Sequence, residues 1–210
     1  MTDRLTRAFF DRPVEDVARD LLGRIVWHRS AEGTTAIRLS EVEAYEGTAD
    51  PASHAFRGRT PRNAVMFGRP GHAYVYFTYG MHWCVNVVCE RKGHAAAVLL
   101  RAGEVVQGVE LARARRPTAR GDRQLARGPA NLARCLALTG ADSGRDLASG
   151  RSLLWVSAGD AVRQDQVRAG PRVGVRLGAE EHRRYWLSDD RTVSAYRAAA
   201  ERRRGGGSGA

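Results

Sequence analysis

Two carboxylates, Glu41 and Glu43, lie two residues apart inside the otherwise apolar run AIRLSEVEAY. On a strand, residues two apart point to the same side. Such a pair could serve acid–base chemistry together, or one acid, raised in basicity by a partly dry cleft, could work while the other pairs with an arginine. A solvated strand end would carry the same pattern. Downstream, Tyr74, Tyr76 and Tyr79 fall within six positions of YVYFTYGMHWCVN. An aromatic stripe of this kind is either sheet packing or a box that stacks on a flat ring. A cationic ring would be held more firmly, through the quadrupole of the aromatic faces. The segment GRTPRN adds Arg59, Arg62 and Asn63, types that grip phosphate in a loop or simply face solvent. No GxGxxG, Walker loop or HExxH appears, and the six histidines lack ligand spacing, so neither a metal nor a cofactor is expected.

These groups need elements to position them. Residues 12–23 (RPVEDVARDLLG) read as a helix, with Val14, Val17, Ala18 and Leu21 on one face, Pro13 in the first turn and Gly23 beyond the end. The strand TTAIRLSEVEAY places Ile37, Leu39, Glu41 and Glu43 on one parity and Val42 on the other. The acids would thus continue an apolar row as the strand leaves the core and enters a cleft. Residues 46–71, rich in Gly, Pro, Asp, Ser and Arg, read as a long loop with at most a short helix near Arg62; that length favours a functional loop. AYVYFTYG and HWCVNVVCE form a strand pair around Tyr79 and Gly80, and AAAVLLRAG a central strand. QGVELARARR is helical, as is PANLARCLALTG up to Gly140; SLLWVS, PRVGVRLG and RYWLSD are short strands. Mixed strands and helices without a linker or repeat predict one α+β domain over residues 1–200, followed by a disordered Gly/Ser-rich tail at 201–210.

The 210-residue chain is 43% hydrophobic and carries a net charge of +11, which suits a folded domain with a polyanionic partner. Of its 34 basic residues only Lys92 is a lysine, a bias that suits bidentate phosphate contacts and that a GC-rich genome would also produce. Cys84, Cys89 and Cys135 form no CxxC and read as buried thiols in a reducing compartment. No stretch approaches a membrane span or signal peptide, so a cytoplasmic, nucleoid-associated protein is expected.

The blocks EVEAYEG, His54, GRTPRN, YVYFTYGMHWCVN, VLLRA and GPANLARCLAL, in this order and spacing, resemble the alkyladenine (3-methyladenine) DNA glycosylase family from about Leu5 to Trp186. The resemblance implies a single mixed domain around a curved antiparallel sheet, no cofactor, and a monomer acting on double-stranded DNA that contains damaged purines. By the same resemblance, Glu43 is the water-activating base and Arg101 stands beside it. Tyr45, His54, Tyr76 and Asn86 line the pocket for a flipped base, and Tyr79 wedges into the gap left in the duplex. Met81 and His82 lie beside the wedge, near the backbone contacts of Arg59, Arg62 and Asn63. Two departures stand out: His82 and Trp83 replace the residues of mammalian-like members, and Asn131 stands where many relatives carry lysine.

The implied reaction is hydrolysis at C1′ of an alkylated or deaminated purine nucleotide through an oxocarbenium-like transition state, leaving an abasic site. With Lys92 outside every motif, no Schiff-base lysine is at hand, so the enzyme is expected to be monofunctional. Glu41 is expected to be structural. A catalytically weak DNA-binding or architectural protein on the same scaffold would need the arginines and Tyr79 but not Glu43; an RNA-binding module would use the aromatics alone.

Overall fold

In the computed structural model, which describes residues 3–199, nine strands form one antiparallel sheet with four α-helices around it. This is the α+β domain with an antiparallel sheet that the sequence implies. The proposed tail, 201–210, lies outside the described residues. The path of the sheet is β3 (Ala73–Thr78), β4 (His82–Cys89), β5 (Ala96–Gln107), β2 (Gly33–Tyr45), β1 (Ile25–Ser30) and β7 (Leu154–Ser157). Off this path, β6 (Ala126–Arg127) pairs with β5, while β9 (Arg184–Leu187) bridges β2 and β8 (Val167–Gly170). No helix of the described residues is long and apolar enough to cross a membrane.

One sheet face carries the main core. Helix α2 (Val14–Leu21) buries Val14, Val17, Ala18 and Leu21, an i, i+3, i+4, i+7 stripe that packs with Ile37, Leu39, Val98 and Leu100. The short α1 (Arg7–Phe10) contributes Phe10, and α4 (Pro129–Cys135) contributes Leu132, Ala133 and Cys135 to the same core; α3 (Val109–Arg115) adds Ala112. The other face carries a smaller cluster in which Tyr74, Val88 and Ala97 meet Ala55 and Met66 from the 46–71 loop. That loop contains only two short 3₁₀ turns, Gly47–Ala49 and Ala64–Phe67, and roofs the second face.

Three expectations change. Glu41 and Glu43 do not continue the row of Ile37 and Leu39. The β2–β5 register shifts on both sides of Glu41 (Leu39↔Gly103, Glu41↔Ala102, Val42↔Leu100), and a bulge exchanges the faces of a strand. Val42 and Ala44 therefore take over the core face from Ile37 and Leu39. The backbones crowd there: a Cβ on Gly103 would sit 2.2 Å from the Arg38 carbonyl oxygen, so only glycine fits. Second, α4 stops at Cys135, five residues before Gly140. Ala137 turns left-handed (φ 53°), and the N–H groups of Ala137 and Leu138 return to the Arg134 and Ala133 carbonyls, which closes the helix and feeds Leu138 into the core. Third, PRVGVRLG is not a strand; β8 precedes it, and residues 171–178 form irregular turns with Gly174 and Gly178 at positive φ.

That irregular segment is tied down by charge. Arg172 and Asp50 are both fully buried and ion-paired, and Arg172 also donates to the carbonyls of Ala44 (3.0 Å) and Gly178 (3.3 Å). Asp50 accepts further N–H bonds from Ala52 (2.9 Å) and Glu46 (3.2 Å), so one pair joins the end of β2, the roof loop and the 171–178 turns. Burial opposes ionisation of Asp50, but the Arg172 bond and the two backbone donors outweigh it and hold the carboxyl below its usual range. Replacing Asp50 with alanine would strand a buried guanidinium, and chemical denaturation should show a loss of about 3–5 kcal/mol. Because the folded carboxyl titrates below the unfolded one, the Asp50 contribution is complete above the unfolded pKa of about 3.8 and fades as pH falls through the lower folded value. The difference in Tm between wild type and Asp50→Ala should therefore narrow on acidification below about pH 3.8; a widening difference would contradict the pairing.

Candidate active site

The bulge in β2 sends Glu41 and Glu43 to the face away from the main core, where Arg101 of β5 meets both. Its Nε donates to Glu41 Oε1 at 2.9 Å and its Nη1 to Glu43 Oε2 at 3.3 Å. All three side chains are nearly or fully buried, with Arg101 the most open at 6%. A buried ion pair repays its desolvation only with good geometry and further hydrogen bonds, and both acids have them.

The two acids sit in different surroundings. Glu41 is saturated: besides Arg101 it accepts from Arg184 Nε (2.7 Å), the Ser194 N–H (2.7 Å) and the Ser194 hydroxyl (2.9 Å). Burial alone would raise its pKa, but Arg101, Arg184 and the Ser194 bonds prevail and hold it below the usual carboxylate range. Glu43 accepts from Arg101, from the Val173 N–H at 2.7 Å and from the Tyr45 hydroxyl at 2.9 Å. Among these partners Tyr45 is the one that lines the aromatic cavity, so Glu43 is the acid wired to it. Burial, with the negative Glu43 beside it, raises the Tyr45 pKa far above its ordinary value, and the phenol stays a hydrogen-bond donor. The Arg172 guanidinium lies over the Tyr45 ring, 4.7 Å from its centre, and fixes it from the side of the buried Asp50 pair.

Strands β3, β4 and β2 and the roof loop together place Tyr45, His54, Tyr74, Tyr76, Asn86 and Met66 around one cavity of about 60 Å³. Tyr74 and Tyr76 stack at 5.3 Å, and His54 stands edge-on against Tyr76 at 4.6 Å. Its Nδ1 is 3.2 Å from the Tyr74 hydroxyl. Desolvation, then the positive Arg62, lowers the His54 pKa, so its ring is neutral at pH 7. Asn86 is 5% exposed and donates to the Tyr74 carbonyl. The cavity is well below the roughly 300–1,000 Å³ of small-molecule sites.

Outside the cavity the surface is cationic and aromatic. Tyr79 caps the β3–β4 hairpin and is 86% exposed. Tyr79 (φ 51°) and Gly80 (φ 66°) are consecutive left-handed residues, and the Met81 N–H returns to the Thr78 carbonyl, as in a tight hairpin turn. A left-handed tyrosine costs roughly 1–2 kcal/mol, yet this ring buries almost nothing in return. Met81 and His82 are exposed beside it, and so are Arg59 and Arg62. Arg62 donates to the Phe77 carbonyl and lies 5.9 Å from the Tyr76 ring centre. Asn63 does not join them. It is 2% exposed, its amide donates to the His54 and Gly58 carbonyls, and its Oδ1 accepts from Thr60. Its side chain shapes the roof loop and has nothing left to offer a phosphate.

Sequence reasoning named Glu43, Arg101, Tyr45, His54, Tyr76 and Asn86, and the fold gathers them. It missed Val173, Arg172, Asp50, Arg184 and Ser194. The role of Val173 belongs to its backbone N–H, which carries no sequence signal, and the others join segments more than a hundred residues apart. Among the described residues no group of three or more His, Cys, Asp or Glu side chains is placed to hold a metal ion.

The chain is 54% identical over 202 residues to a protein of Streptomyces avermitilis, with 95% of each chain covered. It is 50% identical over 198 residues to one of Frankia casuarinae (90% and 91% covered) and 46% identical over 188 residues to one of Methanocella arvoryzae (89% and 92%). All three are provisionally named 3-methyladenine DNA glycosylases. The sequence profile of methylpurine-DNA glycosylase matches residues 8–191, which include every residue of the cavity and its carboxylates, and the chain belongs to that family.

Proposed function

We propose that the chain excises alkylated and deaminated purines from duplex DNA by flipping the nucleotide and hydrolysing its N-glycosidic bond. The observation that carries this reading is the wiring of one buried carboxylate, Glu43, to the aromatic cavity through Tyr45. The flipped base occupies the space between His54, Tyr45 and Tyr76, which brings C1′ toward Glu43. Glu43 orients and deprotonates a water, and its charge stabilises the positive sugar of the transition state. Arg101 and the Val173 N–H hold the carboxylate in place, so little reorganisation accompanies the reaction. A 3- or 7-methylated purine leaves as a neutral base and needs no acid, which fits a site with a single working carboxylate. Hypoxanthine calls for a donor toward its ring, and neutral His54 is the nearest candidate.

Glu43→Gln keeps the Val173 bond and should bind lesion duplex normally while single-turnover excision falls about 10²–10⁴-fold. Undiminished excision would move the base elsewhere, with Glu41 first in line. Flipping costs a few kcal/mol of stacking and pairing, which Tyr79 offsets by filling the gap. A Tyr79→Ala variant should therefore show a flipping equilibrium shifted toward the stacked base in stopped-flow fluorescence of a reporter duplex; an unchanged equilibrium removes the wedge. Lys92 is exposed in the β4–β5 turn and takes no part in the cavity. Borohydride treatment during turnover should trap no covalent adduct, whereas adduct in good yield would make the enzyme a strand-nicking lyase.

A further inference from the structure

Arg62 belongs to a segment whose residue types suit a phosphate contact, yet its guanidinium is bonded to the protein. Nη2 donates to the Phe77 carbonyl at 2.8 Å, on the arm of the hairpin that leads to Tyr79, and Cζ stands 5.9 Å from the centre of the Tyr76 ring. The same group acts on the Tyr74 hydroxyl through its charge and as a hydrogen-bond donor, and its charge reaches His54. One side chain of the roof loop thus meets the β3–β4 hairpin, both stacked tyrosines and the histidine. A hydroxyl that accepts from a guanidinium still has its own hydrogen to give. The acceptor within reach of Tyr74 is His54 Nδ1, at 3.2 Å. His54 is neutral, and a neutral imidazole that accepts at Nδ1 carries its proton on Nε2. Among the described residues nothing bonds His54 through Nε2, so that N–H is the one left for a base in the cavity.

We infer that Arg62 is a positioning residue for hypoxanthine release: it clips the roof loop to the hairpin and, through Tyr74, commits the His54 Nε2–H to the base. The inference rests on the function proposed above and gives its neutral donor a defined nitrogen. A methylated purine leaves without a donor, so Arg62 matters more for the neutral substrate than for the cationic one. The surroundings of His54 leave Arg62 as the charge that acts on it. Tyr74 and Tyr76 face it from β3, Tyr45 lines the same cavity from β2, and Arg62 approaches from the loop; no aspartate or glutamate lines the cavity. Burial, then the Arg62 charge, holds the ring below the ordinary histidine range, so it donates without becoming a cation at neutral pH.

The test uses the whole chain carrying Arg62→Ala or Arg62→Lys. Lysine keeps the charge that a phosphate would need but lacks the planar fork that reaches Phe77 and Tyr74 together. In both variants single-turnover release of hypoxanthine should fall about tenfold more than release of 7-methylguanine, the worth of one directed hydrogen bond. Affinity for an undamaged duplex is read by anisotropy at several salt concentrations. The slope of log affinity against log salt should be the same in Arg62→Ala as in the wild type, whereas loss of a phosphate ligand would reduce it by about 0.9. The His54 ring is followed by ¹⁵N NMR, with His54→Gln to assign its signal. Its titration should move to higher pH in Arg62→Ala, where a neighbouring positive charge is gone, and should move less in Arg62→Lys. A reduced salt slope, equal losses on the two bases, or an unmoved His54 titration would each overturn the inference. If the wild type releases neither base, the proposed function fails, and the salt slope and the His54 titration still decide where Arg62 directs its charge. Normal release by the wild type with any of the contrary results sinks the role of Arg62 alone.

Discussion

The site depends on one constraint: two carboxylates are fully buried in a sheet, and the only way to keep them there is to give them buried cations and donors. Arg101 meets that need for both acids at once. Everything else in the neighbourhood follows from the arrangement. The double irregularity between β2 and β5 exchanges the strand's faces so that both acids reach Arg101. Gly103 lets the backbones approach there, β9 brings Arg184 to Glu41, and the 171–178 turns deliver the Val173 N–H to Glu43. Partnering also separates the acids. Glu41 is surrounded by two guanidiniums and Ser194, and Glu43 retains a link to the aromatic cavity through Tyr45.

A second buried pair supports the first. Arg172 and Asp50 join the roof loop to the end of β2, and the same guanidinium covers one face of Tyr45. The cavity walls thus come from elements of two kinds. Tyr74, Tyr76 and Asn86 are fixed by strand register, while His54 belongs to a loop tied down by Asn63 and Asp50. Strands give placement by register; the loop side is placed by side-chain bonds to its backbone. The exposed, left-handed Tyr79 belongs to a third kind of element, a hairpin tip whose ring packs against almost nothing in the folded chain.

Much of this was legible in the sequence because the informative residues cluster in 41–101 and obey simple periodicities. The α2 stripe, the β3–β4 hairpin and the central β5 all follow from spacing. The parity of Glu41 and Glu43 did not, since a bulge leaves no fixed mark in sequence and reverses every inference drawn from alternation beyond it. The 171–178 segment misled for a different reason: its valines suggest a strand, but the Val173 N–H is committed to Glu43 and so cannot serve a ladder. Asn63 looked like a phosphate ligand by type and proved to be a loop staple.

The central claim is that Glu43 works on a water at the sugar of an extruded purine nucleotide. The most direct measurement is a crystal structure of the chain bound to a duplex bearing a positively charged pyrrolidine in place of the lesion sugar, a mimic of the oxocarbenium transition state. The account predicts the pyrrolidine nitrogen beside the Glu43 carboxylate, with an ordered water between them that is hydrogen-bonded to Glu43. A complex in which the analogue lies remote from Glu43, with that carboxylate still sealed among Tyr45, Arg101 and Val173, would contradict it.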